Sequence, residues 1–114
     1  MKPIPKSLLI HTIILHKKMS SGGFYEEPSI SNGTDISCVR MEPLSKIVRD
    51  KNNAEIQLSA ILFYDCKNSC PRGTTFSVDD VISFNGKKYR VKVVEPLYDR
   101  KKLHHYEIGL IAYA

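Results

Sequence analysis

Alternation between apolar and polar residues is the dominant pattern along this chain, and it predicts β-strands. The clearest example is Glu55–Asp65, in which Ile56, Leu58, Ala60 and Leu62 fall on one face. The opposite face is polar where this segment begins and apolar where it ends. That change is typical of a strand whose first half faces solvent on one side and whose second half is buried on both sides.

A β-hairpin is predicted where Asn85-Gly86 separates two alternating segments. Both residues of this dipeptide accept positive φ, which a type I′ turn requires, so Val81–Phe84 and residues 87–94 are expected to pair. The second strand has two distinct faces: Tyr89, Val91 and Val93 form the apolar face, and Lys88, Arg90 and Lys92 form the basic face.

Three further strands follow from composition and pattern. Residues 8–17 are rich in isoleucine and leucine, residues 35–42 carry a mixed run, and residues 103–112 alternate. Pro43 is expected to end the second of these strands because proline cannot donate to a sheet ladder. For the same reason, Glu95-Pro96 is expected to break the strand that follows the hairpin.

Two segments lack regular patterning. Residues 19–35 are rich in glycine and serine and predict a long loop or a loosely paired ribbon, with a turn at Asn32-Gly33. Residues 43–54 are compatible with a short helix or with two short strands, and they end in turn-forming residues. This second segment has a net positive charge, and its cations are Lys46, Arg49 and Lys51.

The sequence predicts an all-β fold, because strands recur at short intervals and helix signals are nearly absent. A chain of 114 residues fits a single domain, here residues 1–114. Its composition, 42% hydrophobic and 25% charged, argues against wholesale disorder. We therefore expect a small antiparallel β-barrel or sandwich with long loops.

Positive charge is concentrated near the end of the chain. The net charge is +5, and residues 86–102 alone carry seven cations against Glu95 and Asp99. This segment is either a surface for phosphate or an acidic partner, or the ordinary solvated face of a strand. Its candidate docking or DNA-facing residues are Lys88, Arg90, Lys92, Arg100, Lys101 and Lys102.

Candidate catalytic and metal-binding chemistry is sparse, and none of the common nucleophile, phosphate-loop, zinc-protease or dinucleotide motifs occurs. Cys66 and Cys70 have a spacing unusual for zinc, and Cys38 makes the cysteine count odd, which argues against a disulfide framework. His104 and His105 are adjacent, so in a strand they are expected to point to opposite faces. We expect no enzymatic activity, no cofactor, no metal and unpaired cysteines.

The aromatic residues allow two interpretations, a stacking platform for single-stranded nucleic acid or ordinary core packing. Most of them fall within apolar alternation, which favours the core; they are Phe63, Tyr64, Tyr89, Tyr98 and Tyr106. The apolar run at residues 8–15 is too short to span a bilayer and is interrupted by His11 and Thr12. We therefore expect no membrane segment.

Three long segments carry a resemblance to a known family. They are "PIPKSLLIHTIILHK", "RMEPLSKIVRDKNNAEIQLSAILFYDCKNSCPRG" and "VISFNGKKYRVKVVEPLYDRKKLHHYEIGL". They resemble the minor capsid proteins of tailed phages and prophages of Gram-positive bacteria, which are similar in turn to head-completion, or head–tail connector, proteins. The resemblance covers most of the chain and is weakest near residues 19–36.

The resemblance implies a structural protein of the virion, made in the host cytoplasm and located at the head–tail interface. It implies a ring of identical subunits below the portal that closes the DNA channel and docks the tail. The implied partners are the chain itself, portal or adaptor proteins, a tail-completion protein and packaged double-stranded DNA. A small β-barrel that binds nucleic acid on its own is the alternative.

Residues 43–54 have a specific expected role within such a ring. We expect a mobile loop in the free subunit that becomes ordered near the channel, with Lys46, Arg49 and Lys51 facing DNA. The alternative is a short hairpin that packs Ile47 and Val48 on its own subunit.

Overall fold

The computed structural model describes residues 2–19, 29–30, 33–49 and 52–113. Most of the predicted loop 19–35, Asn32 of its predicted turn, and Lys51 lie outside these residues. The strands of the described part are β1 (His11–His16), β2 (Lys18–Met19), β3 (Ser29–Ile30), β4 (Thr34–Arg49), β5 (Glu55–Asp65), β6 (Val81–Phe84), β7 (Lys87–Asp99) and β8 (Lys102–Ala112).

Six of these strands close into an antiparallel barrel in the order β1-β4-β5-β8-β7-β6. β1 completes the closure, because it pairs with β4 on one side and with β6 on the other, where Ile14 lies opposite Ser83. β2 and β3 pair separately as a short ribbon. The prediction of an all-β fold is confirmed, and of the two predicted architectures the chain forms the barrel.

Alternating apolar side chains fill the barrel interior. β5 contributes Ala60, Leu62 and Tyr64 to the core cluster. Leu58 is also buried, whereas Ile56, the first residue of the predicted apolar face, is only half-buried. Burial of each large apolar side chain stabilises the fold by about 1.5–3 kcal/mol. The rest of the buried core cluster is Ile13, Leu15, Ile36, Val39, Met41, Phe76, Ile82, Val91, Ile108 and Leu110.

The predicted hairpin at Asn85-Gly86 is confirmed. Phe84 lies opposite Lys87, and the two turn residues have φ of 51° and 74°, both left-handed as a type I′ turn requires. The boundaries of Glu55–Asp65 are also as predicted.

The expectation that Pro43 ends a strand is wrong, because β4 continues to Arg49. Met41 donates its backbone N–H to Nδ1 of His11 (3.0 Å), and so its peptide group points away from β5. The pairing register is regular from Met41 to Pro43, and backbone groups two residues apart point to the same side. The missing N–H of Pro43 therefore faces the outer edge and interrupts no bond between β4 and β5.

The expected break at Glu95-Pro96 is also wrong, since β7 runs to Asp99 with Pro96 opposite Tyr106. A bulge between Val91 and Val93 adds a residue to β7 and reverses the faces beyond it. As a result Val94, not the predicted Val93, packs against the core.

β1 is shorter than the predicted strand 8–17. Leu8 and Leu9 donate their backbone N–H groups to Pro5 and Lys6, so residues 6–8 form a turn before the strand begins at His11.

The pairing register places the connections at two opposite ends of the barrel. The hairpin end holds the Asn85-Gly86 turn and the tips of β4 and β5, where Arg49 lies opposite Glu55. The loop end holds the turn between β7 and β8 and the first part of the connection between β5 and β6, whose residues 76–78 reach back to line a cleft with Arg49 and Asn52 of the β4–β5 tip.

Candidate functional site

The predicted basic surface of residues 88–102 is divided between the two ends of the barrel. Lys88 lies near the hairpin end, whereas Arg100, Lys101 and Lys102 form and follow the turn at the loop end. β7 is 13 residues long, and strands rise about 3.3 Å per residue, so the two groups are roughly 40 Å apart along the strand. The two groups therefore do not form one compact patch.

Two of the predicted cations serve the fold itself. The guanidinium carbon of Arg90 lies 4.9 Å from the centroid of the Tyr113 ring, a cation–π distance. The Nζ atom of Lys92 lies 3.9 Å from Oδ1 of Asp79, and both cations are half-buried. Alternation along β7 accounts for these two residues without a ligand.

Residues 43–49 are not the expected mobile loop, because they form the second part of β4 and pair with β5 as a hairpin. Lys46 is exposed on this hairpin, and Arg49 donates to Oε1 of Glu55 (3.3 Å) and to the carbonyl of Asn53 (3.0 Å). Ile47 is 61% exposed, so it does not pack on its own subunit. That Lys46, Arg49 and Lys51 face the channel stays a prediction.

The outer sides of two strands lack a strand partner within the described residues. β1 begins at His11, opposite Val39, so β4 from Arg40 onward has no strand on its outer side there. β6 begins at Val81, opposite Arg90, so β7 from Val91 onward likewise has no strand on its outer side. The barrel thus extends at each end as a two-stranded hairpin.

Asp65 is a fully buried carboxylate that organises the loop end. Its oxygens accept the backbone N–H groups of Ile4 (2.9 Å), Lys67 (3.0 Å) and Asn68 (2.8 Å). The contact with Ile4 holds the N-terminal segment against the turn that follows β5. Sequence reasoning missed this role, although an aspartate beginning a turn that contains Asn68 and Ser69 is a recognisable Asx signal.

Asp80 is the second buried carboxylate, 1% exposed. Its Oδ2 accepts from Nζ of Lys17 (2.7 Å) and the N–H of Ser77 (2.8 Å), and its Oδ1 accepts the N–H of Lys18 (3.0 Å). This carboxylate joins the segment after β1 to the connection before β6. No local pattern predicts the contacts with Lys17 and Lys18, because these residues are 63 and 62 positions away in sequence.

The most buried aromatic residues pack in the core and do not form a stacking surface for nucleic acid. The Tyr64 ring lies 5.4 Å from that of Phe76 and 6.2 Å from that of Tyr106, and the Tyr64 hydroxyl donates to the carbonyl of Pro71. Burial raises the pKa of the Tyr106 hydroxyl, and charge repulsion from the nearby Cys66 thiolate raises it further. Tyr98 is the exception, at 62% exposed.

The histidines at residues 104 and 105 do not point apart as expected. Their Nδ1 atoms lie 2.7 Å apart, and Nε2 of His105 lies 3.0 Å from Oε2 of Glu107. β5 ends opposite His105, so the rings can turn toward each other where that strand no longer covers them. Nε2 of His104 donates to the carbonyl of Lys2 (2.6 Å), which adds a second anchor for the N-terminal segment.

The three cysteines are free thiols. Burial raises the pKa of the Cys66 thiol, and the charge of Asp65 adds to the increase. Across the described ranges there is no group of three or more His, Cys, Asp or Glu side chains that could hold a metal ion. Those ranges also contain no helix of the length and apolarity needed to cross a membrane.

The fold and the candidate residues together define a class of protein. The barrel interior is filled with apolar side chains, and both buried carboxylates are occupied by hydrogen bonds that hold loops in place. This is the organisation of a small structural or binding module.

Comparison with known families gives the specific assignment. Residues 5–110 match the family model described as Minor capsid protein, so the chain belongs to this family of phage capsid proteins. The resemblance to phage minor capsid proteins is thereby confirmed, and the chain is a structural protein of the virion. No curated protein matches the chain.

Proposed function

We propose that this minor capsid protein is a head-completion, or head–tail connector, subunit. Identical subunits form a ring below the portal, close the DNA channel after packaging and provide the surface on which the tail docks. Its partners are other copies of the chain, the portal or adaptor proteins, a tail-completion protein and packaged DNA. The proposal adds a position and a task to the virion role that family membership establishes.

Within the described residues, no strand covers the outer side of β4 beyond Pro43 or of β7 beyond Val91, and this observation carries the proposal. An uncovered strand edge presents backbone N–H and C=O groups that another chain can pair with. Ile47 and Tyr98, on these two strands, are 61% and 62% exposed. A ring subunit needs two different surfaces, one for each neighbour, and the outer sides of β4 and β7 supply them.

Deleting the reading frame for this chain from a phage that carries it tests the proposal. We expect heads and tails that are both complete but unattached, with packaged DNA leaking from the heads, and expression of the wild-type chain should restore joining. In complemented particles, immunogold labelling should mark the neck alone. Label spread over the head shell, or normal infectious particles without the chain, would refute the connector role.

The same particles discriminate the second candidate, a small barrel that binds nucleic acid independently. Such a protein would be missing from purified virions, and its deletion would leave the joining of heads and tails intact.

A further inference from the structure

A cleft at the loop end brings together cations from separate parts of the chain. It has a volume of about 480 Å³ and lies between the turn after β5, the N-terminal segment and the beginning of β8. Its charged lining residues are Lys67, Arg72, Lys102 and Asp99, and Pro3 and His104 complete two of its walls.

Within the described residues, Lys67, Arg72 and Lys102 make no ion pair, in contrast to Lys17 and Lys92 elsewhere on the barrel. Lys67 and Lys102 are exposed, as is Arg72, so all three can reach a ligand.

The adjoining turn adds two more cations, Arg100 and Lys101, both exposed. The cleft and this turn together hold five cations against one carboxylate, a net charge of +4, whereas the entire chain has a net charge of +5. Positive charge therefore predominates on the exposed surface of this cleft and turn. Concentrated charge of one sign in a concave surface raises the local concentration of oppositely charged ligands.

We propose that this cleft binds phosphate groups of the double-stranded DNA backbone. Three of the five cations are lysines, which bind phosphate as point charges but are depleted from protein–protein interfaces. Contacts of this type fix position on a duplex without reading its sequence. The biological setting rests on the proposed connector function: the loop end faces the DNA channel, and a ring repeats the cleft around the axis.

Fluorescence anisotropy with a short labelled duplex, in two unrelated sequences, tests the proposal on the full chain. The test variant replaces Lys67, Arg72 and Lys102 with glutamine. We expect the wild-type chain to bind both duplexes equally, and only at low salt. Each phosphate contact contributes about 0.9 to the slope of log affinity against log salt, so the variant should lose a slope of about 3 and about tenfold or more in affinity.

The control replaces Lys6 and Lys87 with glutamine, two exposed lysines outside the cleft, and its loss of affinity is compared with that of the test variant per charge removed. It should retain affinity within about threefold, because net charge alone acts weakly at long range in salt. An equal loss per charge in both variants, or no salt-dependent binding by the wild-type chain, would overturn the proposal. Circular dichroism checks that both variants fold.

A poly-glutamate chain of matched length serves as the second probe. Binding to poly-glutamate as tight as binding to DNA would contradict the assignment to phosphate and indicate an acidic protein partner. The position of the chain in the virion is determined independently by the deletion and labelling experiment. A failure in solution would therefore leave the connector role standing, and a failure of the connector role would leave the cleft measurements valid.

Discussion

Replacing Asp80 with asparagine should destabilise the barrel much more than the same change at its neighbour Asp79. Asp80 is buried and accepts three hydrogen bonds. Asp79 is about one-third exposed, and its ion pairs with described residues are long, 3.6 Å to Lys18 and 3.9 Å to Lys92. Both changes preserve side-chain shape. Asparagine also tolerates the positive φ of Asp79, 75°, so backbone strain does not contribute to the stability change at that position.

The magnitude follows from the partners of each carboxylate. Both oxygens of Asp80 face N–H donors, so the amide NH₂ of asparagine must oppose at least one donor whichever way it is oriented. Loss of one or two hydrogen bonds to a charged group, at about 1.5–3 kcal/mol each, should lower the free energy of unfolding by about 3 kcal/mol. Exposed ion pairs contribute about 0–1 kcal/mol, which bounds the effect at Asp79.

Urea unfolding followed by far-ultraviolet circular dichroism measures both variants, with the free energy taken by linear extrapolation. A total stability of about 5–15 kcal/mol makes a loss of about 3 kcal/mol easily visible. If the Asp80 variant unfolds within about 1 kcal/mol of the Asp79 variant, the buried carboxylate is not the anchor that its geometry indicates.

Three further predictions concern single positions. Gly86→Val should lower the free energy of unfolding by at least about 1–2 kcal/mol in the same urea assay, because Gly86 has φ of 74°, where a β-branched residue is strained. The space around Gly86 is open, so a steric clash does not contribute. Unchanged stability would contradict the turn assignment. Leu62→Ala, at a fully buried site, should cost about 2–5 kcal/mol, and a cost below about 1 kcal/mol would argue against a packed interior. Because the pKa of the Cys66 thiol is raised, Cys66 should carry less thiolate at neutral pH than an ordinary thiol. Its alkylation by iodoacetamide should therefore be slow at neutral pH and should still accelerate above the ordinary thiol pKa. Mass-spectrometric mapping that finds Cys66 fully reactive at neutral pH would refute this.

Local sequence was sufficient where neighbouring residues alone decide conformation. Asn85-Gly86 specifies its turn because both residues accept left-handed φ. The strand Glu55–Asp65 was predicted with its correct bounds, because alternation of period two holds without interruption along one face.

Prediction failed where a residue's effect depends on which side of a strand has a neighbour. Pro43 and Pro96 were expected to end strands, yet each lies inside one. The Pro43 nitrogen points away from β5 because of the pairing register between β4 and β5. The sequence of β4 alone does not specify that register. The bulge near Val93 likewise reverses the faces of β7, so pattern alone assigned the wrong valine to the core.

The sequence by itself determined the all-β class, the strands with strong alternation, the central hairpin and the basic character of the chain, because these depend on residue type and short-range spacing. Only the tertiary structure decided closure into a barrel, the separation of the basic residues between two ends, and the meeting of Lys67, Arg72 and Lys102 in one cleft. These features join residues distant along the chain. Their positions follow from strand pairing and from buried contacts such as those of Asp65, which no local pattern encodes.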